Sequence, residues 1–123
     1  MKPTRPGEPL IARDPPASSI LRFAQLSPAR QQLVRLLQTI NYGRIEDLLV
    51  RDGDPIFEPS PVVVVDAKLY RDDGPRPEVG LADFVLRDDV RRLMARLDHA
   101  KNGTIQRLEV RAGIPRRVIL ESR

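Results

Sequence analysis

Apolar residues recur at helical spacing in two segments of the chain, and strand-like patterning follows each of them. The first segment starts at Ser27-Pro28, where serine is a good N-cap and proline fits the first helical position. We predict that this helix runs to about Asn41, with Gly43 just past its end as a left-handed terminator. Its apolar face consists of Leu33, Val34, Leu36, Leu37 and Ile40.

The second helical segment is predicted to begin with Asp83 as its N-cap and to end at Gly103. Its apolar positions again lie on one side of a helix. They are Leu86, Val90, Leu93, Met94, Leu97 and Ala100.

After the first helix, residues 44–50 and 55–57 flank the turn residues Arg51-Asp52-Gly53, which predicts a β-hairpin. Residues 61–70 are predicted as a further strand, because they include four consecutive valines, and we expect burial on both faces at its start. Residues 71–77 then have the turn chemistry of a loop.

The two segments form an internal repeat. Gly43 and Gly103 lie 60 positions apart, and the same shift aligns the residues around them without a gap. The aligned pairs are Leu33 and Leu93, Leu37 and Leu97, Ile45 and Ile105, Leu48 and Leu108, Val50 and Val110, Arg51 and Arg111, Gly53 and Gly113, and Pro55 and Pro115. We therefore predict an internal duplication of a helix-plus-hairpin unit.

The repeat glycines are Gly43, Gly53, Gly103 and Gly113, and we assign them structural roles: Gly43 and Gly103 reverse the chain, and Gly53 and Gly113 turn the hairpins. Ala112 precedes Gly113 and is poor at positive φ, so a type I turn followed by a glycine bulge is expected in both hairpins. Ile45 and Leu48 are three apart, as are their mates, which predicts a shared bulge or a late strand start.

Together these elements predict an α+β fold: a two-layer structure with a mainly antiparallel sheet of about five strands and both helices on one face. A pseudo-two-fold axis is expected to relate the repeats, at about 28–59 and 83–123, which a strand and loop over 60–82 connect. Residues 18–123 form one domain in this prediction. Residues 1–17 are proline-rich and are expected to form a flexible arm.

The pattern Ile-Asn-Tyr-Gly-Arg-Ile followed by Val-Arg-Asp-Gly-Asp-Pro, over positions 40–55, resembles the YezD-like family of small bacterial proteins. Chains of that family carry one helix, a Tyr-Gly turn and a hairpin closed by Asp-Gly. The resemblance covers residues 30–57 and, more faintly, 90–117, where Asn102 and Ala112 replace Tyr and Asp. It implies a fold and no activity.

The composition of the chain excludes several kinds of chemistry. The chain has no cysteine, which excludes disulfides, thiolate metal sites and cysteine nucleophiles. The longest apolar run, residues 62–65, is too short for a membrane helix, and the first residues lack the apolar region of a secretory signal. We therefore expect a cytoplasmic protein that does not enter a membrane.

No motif points to catalysis or to a cofactor. His99 is the only histidine, and Asp52, Asp54 and Glu58, like Asp72-Asp73, lack the spacing of a calcium loop. The glycines form no phosphate-binding pattern. An enzyme would need the distant carboxylates Asp47, Asp66 and Glu109 to converge. We predict no enzyme activity, no metal site and no cofactor.

Charge is uneven along the chain. Of the 21 basic residues, ten lie in residues 86–123, together with five acidic residues. The candidate phosphate contacts there are Arg87, Arg91, Arg92, Arg96, Arg107, Arg111, Arg116 and Arg117. The acidic neighbours can pair with these arginines, and the hairpin of this half carries no aromatic residue for base stacking.

Two functional hypotheses follow. The first is a non-enzymatic interaction or scaffold module that engages a protein partner or a second copy, through a sheet edge, the apolar N-terminal segment Ile20, Leu21, Phe23 and Leu26, or an open sheet face. The alternative is a nucleic-acid-associated protein that binds phosphates through the basic C-terminal repeat.

Overall fold

The computed structural model describes residues 22–70 and 75–123. In chain order the elements are a 3-10 turn at Phe23–Gln25, α1 at Pro28–Ile40, β1 at Gly43–Arg51, β2 at Asp54–Ile56, β3 at Val62–Val65, a 3-10 turn at Pro77–Gly80, α2 at Asp88–Ala100, β4 at Gly103–Arg111 and β5 at Ile114–Ser122. The predicted α+β class is confirmed. The predicted arm over 1–17, Ile20, Leu21 and part of the predicted loop lie outside the described residues.

The five strands form one antiparallel sheet with the order β2, β1, β4, β5. β3 pairs with the first half of β1, on the same edge that β2 occupies further along the strand. At the centre of the sheet, Ile45 lies opposite Leu108 and Leu48 lies opposite Ile105. A shift of 60 positions exchanges these two pairs, so the pairing of β1 with β4 has the two-fold symmetry expected of two equivalent halves; the duplication itself stays a prediction.

Both helices pack on one face of the sheet and share one core. Leu33 and Leu37 of α1 and Leu93 and Leu97 of α2 are buried together with the central residues of β1 and β4. Burial of each such side chain contributes about 1.5–3 kcal/mol to the free energy of unfolding. The predicted helix faces are therefore the core faces, and among the described residues no helix packs on the opposite face of the sheet, called the open face below.

Both central strands are irregular between their two buried apolar residues. Ile45 and Leu48 are both fully buried although they are three residues apart, because Asp47 between them takes a φ of +61°. In β4 the register with β5 shifts between Ile105 and Arg107. β4 therefore has the predicted bulge, while β1 has the positive φ of Asp47, which its equivalent Arg107 lacks. In both strands the two apolar residues are turned toward the helices.

The first helix begins as predicted, and the second does not. Ser27 caps α1, where its hydroxyl accepts a hydrogen bond from the backbone N–H of Arg30 at 3.2 Å. α2 begins at Asp88, so the prediction of Asp83 as its N-cap is wrong. The carboxylate of Asp83 instead accepts from Arg22 Nε at 2.7 Å and from the N–H of Ala24 at 2.8 Å, and these bonds hold the pKa of Asp83 below its usual value.

The segment before α1 is part of the core. Phe23 and Leu26 are both 4% exposed, which shows where two of the predicted N-terminal apolar residues dock. The Phe23 ring stacks on Phe84 with centroids 4.9 Å apart, and the guanidinium of Arg35 lies 4.2 Å above the Phe23 centroid. The connection between the halves is therefore fastened to α1 and to the residues that precede it.

The prediction that Gly43 and Gly103 reverse the chain after the two helices is wrong. The chain reverses at Asn41 and Lys101, with φ values of 63° and 62°, and not at the glycines. Each of these residues is the centre of a γ-turn, in which the N–H two positions after the last helical residue donates to that residue's carbonyl at 2.7 Å. A polar residue takes the strained conformation in both halves.

The glycines after these turns are required by a close approach of backbone. A Cβ at Gly43 would lie 2.0 Å from the carbonyl oxygen of Val64, and one at Gly103 would lie 2.1 Å from that of Glu121. Neither position can hold a side chain unless the neighbouring edge strand moves.

The hairpin turns also differ from the prediction. In the first turn Asp52 and Gly53 have φ values of 53° and 80°, and in the second Ala112 and Gly113 have 55° and 72°. Two central residues with positive φ define a type I′ turn, whose twist matches the twist of the strands. The twist of the strands therefore favours a type I′ turn even where alanine has to adopt positive φ. The prediction of a type I turn with a glycine bulge is wrong.

Each hairpin turn docks on the helix end of the other half. The N–H of Gly53 donates to the carbonyl of Lys101, and the N–H of Gly113 donates to the carbonyl of Asn41, both at 2.8 Å. Arg30 is buried beneath the first turn and donates to the carbonyl of Gly53 through Nε and Nη2, at 3.0 and 2.8 Å. The two halves therefore hold each other's turns in place.

β3 is shorter and more exposed than predicted. It covers only four residues of the predicted segment, and Val62, Val63 and Val65 are 47%, 41% and 57% exposed. Burial on both faces was predicted because a β-branched run resembles a central strand, but β3 lies at the edge of the sheet. Among the described residues no helix is long and apolar enough to cross a membrane.

Candidate functional site

Six of the eight predicted arginines gather around the hairpin of β4 and β5, and they line two adjoining depressions. The other two lie elsewhere. Arg91 forms an ion pair with Asp88 at 3.8 Å, and Arg87 lies beside Glu78, near the connection between the halves. These two residues are not part of the candidate site.

The first depression is a groove between α2 and β5, with a volume of about 190 Å³. Arg92 and Arg96 of α2 line one side, and Arg116 and Arg117 of β5 line the other. One carboxylate, that of Asp89, lies among them and forms a long ion pair of 3.9 Å with Arg116. The groove is therefore cationic.

The second depression, called the basic depression below, lies on the open face of the sheet and has a volume of about 650 Å³. Among the described residues, its lining contains six basic residues and two acidic ones. The basic residues are Arg44, Lys68, Arg107, Arg111, Arg116 and Arg117, and the acidic residues are Asp66 and Glu109. Arg116 and Arg117 line both depressions, so positive charge continues around the edge of the sheet.

Part of this charge is already paired within the protein. Glu46 accepts from Arg44 Nε at 2.7 Å and lies 3.5 Å from Arg107 Nη2, and Lys68 lies 3.8 Å from Asp66. Arg111 and Arg117 have no ion pair with any of the described residues. The cationic excess of the depression is therefore largest at these two side chains.

Three lining residues come from the first half of the chain and were not predicted: Tyr42, Arg44 and Lys68. Tyr42 and Arg44 reach the basic second half because β1 and β4 are antiparallel, which places Gly43 opposite Val110. Lys68 follows β3, which pairs with the start of β1. The symmetry of the repeat could have found Tyr42 and Arg44, since a two-fold axis brings the start of β1 beside the end of β4. Tyr42 thereby supplies the aromatic ring that the second hairpin lacks.

The carboxylates considered for catalysis are only partly together. Asp66 and Glu109 line the basic depression, and Asp47 does not. His99 is exposed in the last turn of α2, and Asp54 accepts from Ser27 Oγ at 2.7 Å. Within residues 22–70 and 75–123, no three His, Cys, Asp or Glu side chains are grouped as ligands for a metal ion.

A second feature of this region is the outer edge of β5. β5 pairs with β4 on one side and has no strand on its other side in the described residues. Arg117 and Ile119 lie opposite Glu109 and Arg107 and therefore face the open side of the sheet. Val118 and Leu120 face the helices and pack against the core.

Comparison of the chain with protein-family models, with curated protein sequences and with solved structures found no match. The resemblance to the YezD-like family stays a prediction.

Proposed function

We propose that this protein is a self-associating interaction module in which two copies pair through the outer edges of their β5 strands. The observation that carries the proposal is the sequence Arg117-Val118-Ile119-Leu120-Glu121 on that edge, which is complementary to itself when read antiparallel. Strand pairing at a free edge is a general mode of protein association.

A two-fold axis at Ile119 would place each residue opposite a suitable partner. Arg117 of one copy would face Glu121 of the other, Val118 would face Leu120, and the two Ile119 side chains would meet. Opposite charges and apolar pairs directly across antiparallel strands each stabilise the pairing by about 0.2–1 kcal/mol. Because the axis is two-fold, every contact except the one at its centre occurs twice.

In this pairing, the residues that lie opposite each other are also on the same face of the sheet. Arg117, Ile119 and Glu121 lie on the open face, and Val118 and Leu120 lie on the helix face. Ile119 is 39% exposed, so pairing would remove apolar surface from water as well as satisfy backbone groups. At the hairpin end, Pro115 and the register shift before Arg117 would stop the pairing.

The other edge of the sheet fits a self-pairing less well. β3 offers exposed valines, but it is only four residues long and carries no charge that would set a register. The five-residue segment Arg117–Glu121 of β5 has apolar residues at its centre and opposite charges at its ends. Orientation and register are therefore better determined at β5.

The test is sedimentation equilibrium over a concentration series with charge-reversal variants. Arg117→Glu would set Glu against Glu121 at both ends of the interface, and Glu121→Arg would set Arg against Arg117. Each single variant is expected to weaken dimerisation about 10-fold or more, and the double variant is expected to restore it.

The double variant separates the interface from folding. Arg117 lies opposite Glu109 in its own sheet, so Arg117→Glu juxtaposes two carboxylates within one copy in both the single and the double variant. Glu121→Arg removes the hydrogen bond that Gln106 Nε2 donates to Glu121 Oε1 within one copy, at 3.3 Å, in both its single variant and the double variant. The double variant therefore keeps the changes that each single variant makes within a copy and restores only the contact between copies. Recovery in the double variant therefore reports on the interface.

Ile119→Lys and Val65→Lys form a matched pair on the two edges of the sheet. Ile119→Lys is expected to abolish dimerisation, and Val65→Lys, at the exposed end of β3, is expected to leave it unchanged. A protein that stays monomeric at all concentrations, or a dimer that only Val65→Lys disrupts, would refute the proposal.

A further inference from the structure

We infer that the basic depression is a binding site for single-stranded nucleic acid, which contacts the arginines through its phosphates and Tyr42 through an unpaired base. The site lies on the open face of the sheet, and a strand added at the β5 edge would extend the sheet without covering that face. The two proposals share Arg117, but the other five basic residues of the lining take no part in the strand pairing, so the inference does not require self-association.

Charge is the first reason. Six basic side chains and two acidic ones line the depression, and Arg111 and Arg117 have no ion pair with the described residues. The adjoining groove adds Arg92 and Arg96, with Arg116 and Arg117 common to both linings. A band of positive charge that continues across two depressions fits a chain of phosphates better than one isolated anion.

Tyr42 is the second reason, and it favours a single strand over a duplex. Of the described lining residues it alone is aromatic, and it is half-buried at the rim of the sheet. A ring beside cationic side chains is the usual combination in sites for single strands, where bases stack on aromatics while the phosphates are neutralised. A base in a duplex is already stacked and paired and cannot reach it.

Residues of both halves form the site, and this supports the inference. The equivalents of Arg111 and Tyr42, 60 positions away, are Arg51 and Asn102. The repeat therefore gives two sites with equivalent backbone. Only the site formed by Tyr42 and Arg111 combines an aromatic ring with the basic cluster. Arg51, exposed at the first hairpin, is a matched control for Arg111.

The experiment is fluorescence anisotropy with a labelled oligothymidylate of about 12 nucleotides, a length within the usual range for one small binding domain. Binding is expected at low salt and should weaken steeply between about 50 and 200 mM salt. Arg111→Ala should weaken binding at least about 5-fold, and Arg51→Ala, which removes the same charge, should change it less than about 2-fold.

Variants of Tyr42 test the stacking contact. Tyr42→Leu is expected to weaken binding about 10-fold, while Tyr42→Phe keeps the ring and should bind like the unaltered protein. Thermal unfolding of each variant shows whether a loss of binding reflects a loss of structure. The measurements are made at a protein concentration at which sedimentation shows monomer, so that self-association does not affect the result.

Several results would overturn the inference. They are no binding at low salt, equal losses for Arg111→Ala and Arg51→Ala, or a duplex of the same length that binds as tightly as the single strand. The second of these would show that only net charge matters, and the third would show that no unpaired base is recognised.

Discussion

At the scale of single residues, four of the five strained positions in the described backbone follow the symmetry of the fold, and Asp47 does not. Among the described residues, five other than glycine have positive φ: Asn41, Asp47, Asp52, Lys101 and Ala112. Asn41 and Lys101 end the two helices, and Asp52 and Ala112 begin the two hairpin turns. In the hairpin turns aspartate tolerates positive φ better than alanine, so Ala112 is more strained than Asp52.

We predict that Ala112→Asn raises the free energy of unfolding by about 0.5–1 kcal/mol, because asparagine adopts positive φ at lower cost and suits a type I′ turn. The reverse change in the first turn, Asp52→Ala, should lower it by a similar amount. Both values can be measured by urea denaturation. A loss of stability in Ala112→Asn would show that the turn does not carry this strain.

At the scale of elements, the important contact is that of a hairpin turn with a helix end. The first turn rests on Arg30, which is 7% exposed and donates twice to the carbonyl of Gly53. The same guanidinium contacts Asp98 of α2 at 2.6 Å. In the second turn Arg76, from the connection between the halves, donates to the carbonyl of Ala112 at 2.8 Å. One arginine thus satisfies one turn carbonyl in each half.

We predict that Arg30→Met lowers the free energy of unfolding by about 2 kcal/mol, because methionine fills the space but leaves the buried carbonyl of Gly53 without a donor. Asp98→Ala is the control. Asp98 is more than half exposed, so loss of the ion pair alone should cost less than about 1 kcal/mol. Equal losses in chemical denaturation would assign the effect to the ion pair.

At the scale of the whole molecule, neither half has a core of its own. Leu37 of α1 and Leu97 of α2 belong to one apolar cluster, and the two hairpins contact the helix ends of opposite halves. β1 and β4 form the centre of the one sheet. The halves are therefore expected to unfold together.

We predict a single unfolding transition whose midpoint is lowered by a cavity in either half. Leu37→Ala and Leu97→Ala remove equivalent side chains that are 1% and 0% exposed, and each should cost about 2–5 kcal/mol. Calorimetry gives the test, since a single cooperative transition has equal calorimetric and van't Hoff enthalpies. Two separate transitions, with only one displaced by each variant, would contradict the prediction.

The sequence by itself determined the elements and their inner faces. Hydrophobic spacing located both helices, the two hairpins and the core leucines, because a periodic apolar pattern places its side chains on one face of an element. The repeat indicated that both central strands are irregular between their two buried apolar residues. The cluster of Arg92, Arg96, Arg116 and Arg117 also followed from the sequence, since these residues lie on adjacent elements.

Only the tertiary structure decided the features that depend on distant partners. Asp83 bonds to Arg22 and Ala24 and so cannot cap α2, and the sheet twist imposes a type I′ turn on Ala112. The exposure of the valines in β3 depends on its place at the edge. Tyr42 enters the basic depression because β1 and β4 pair antiparallel, and such a pairing is a property of the assembled sheet and of no local stretch of residues.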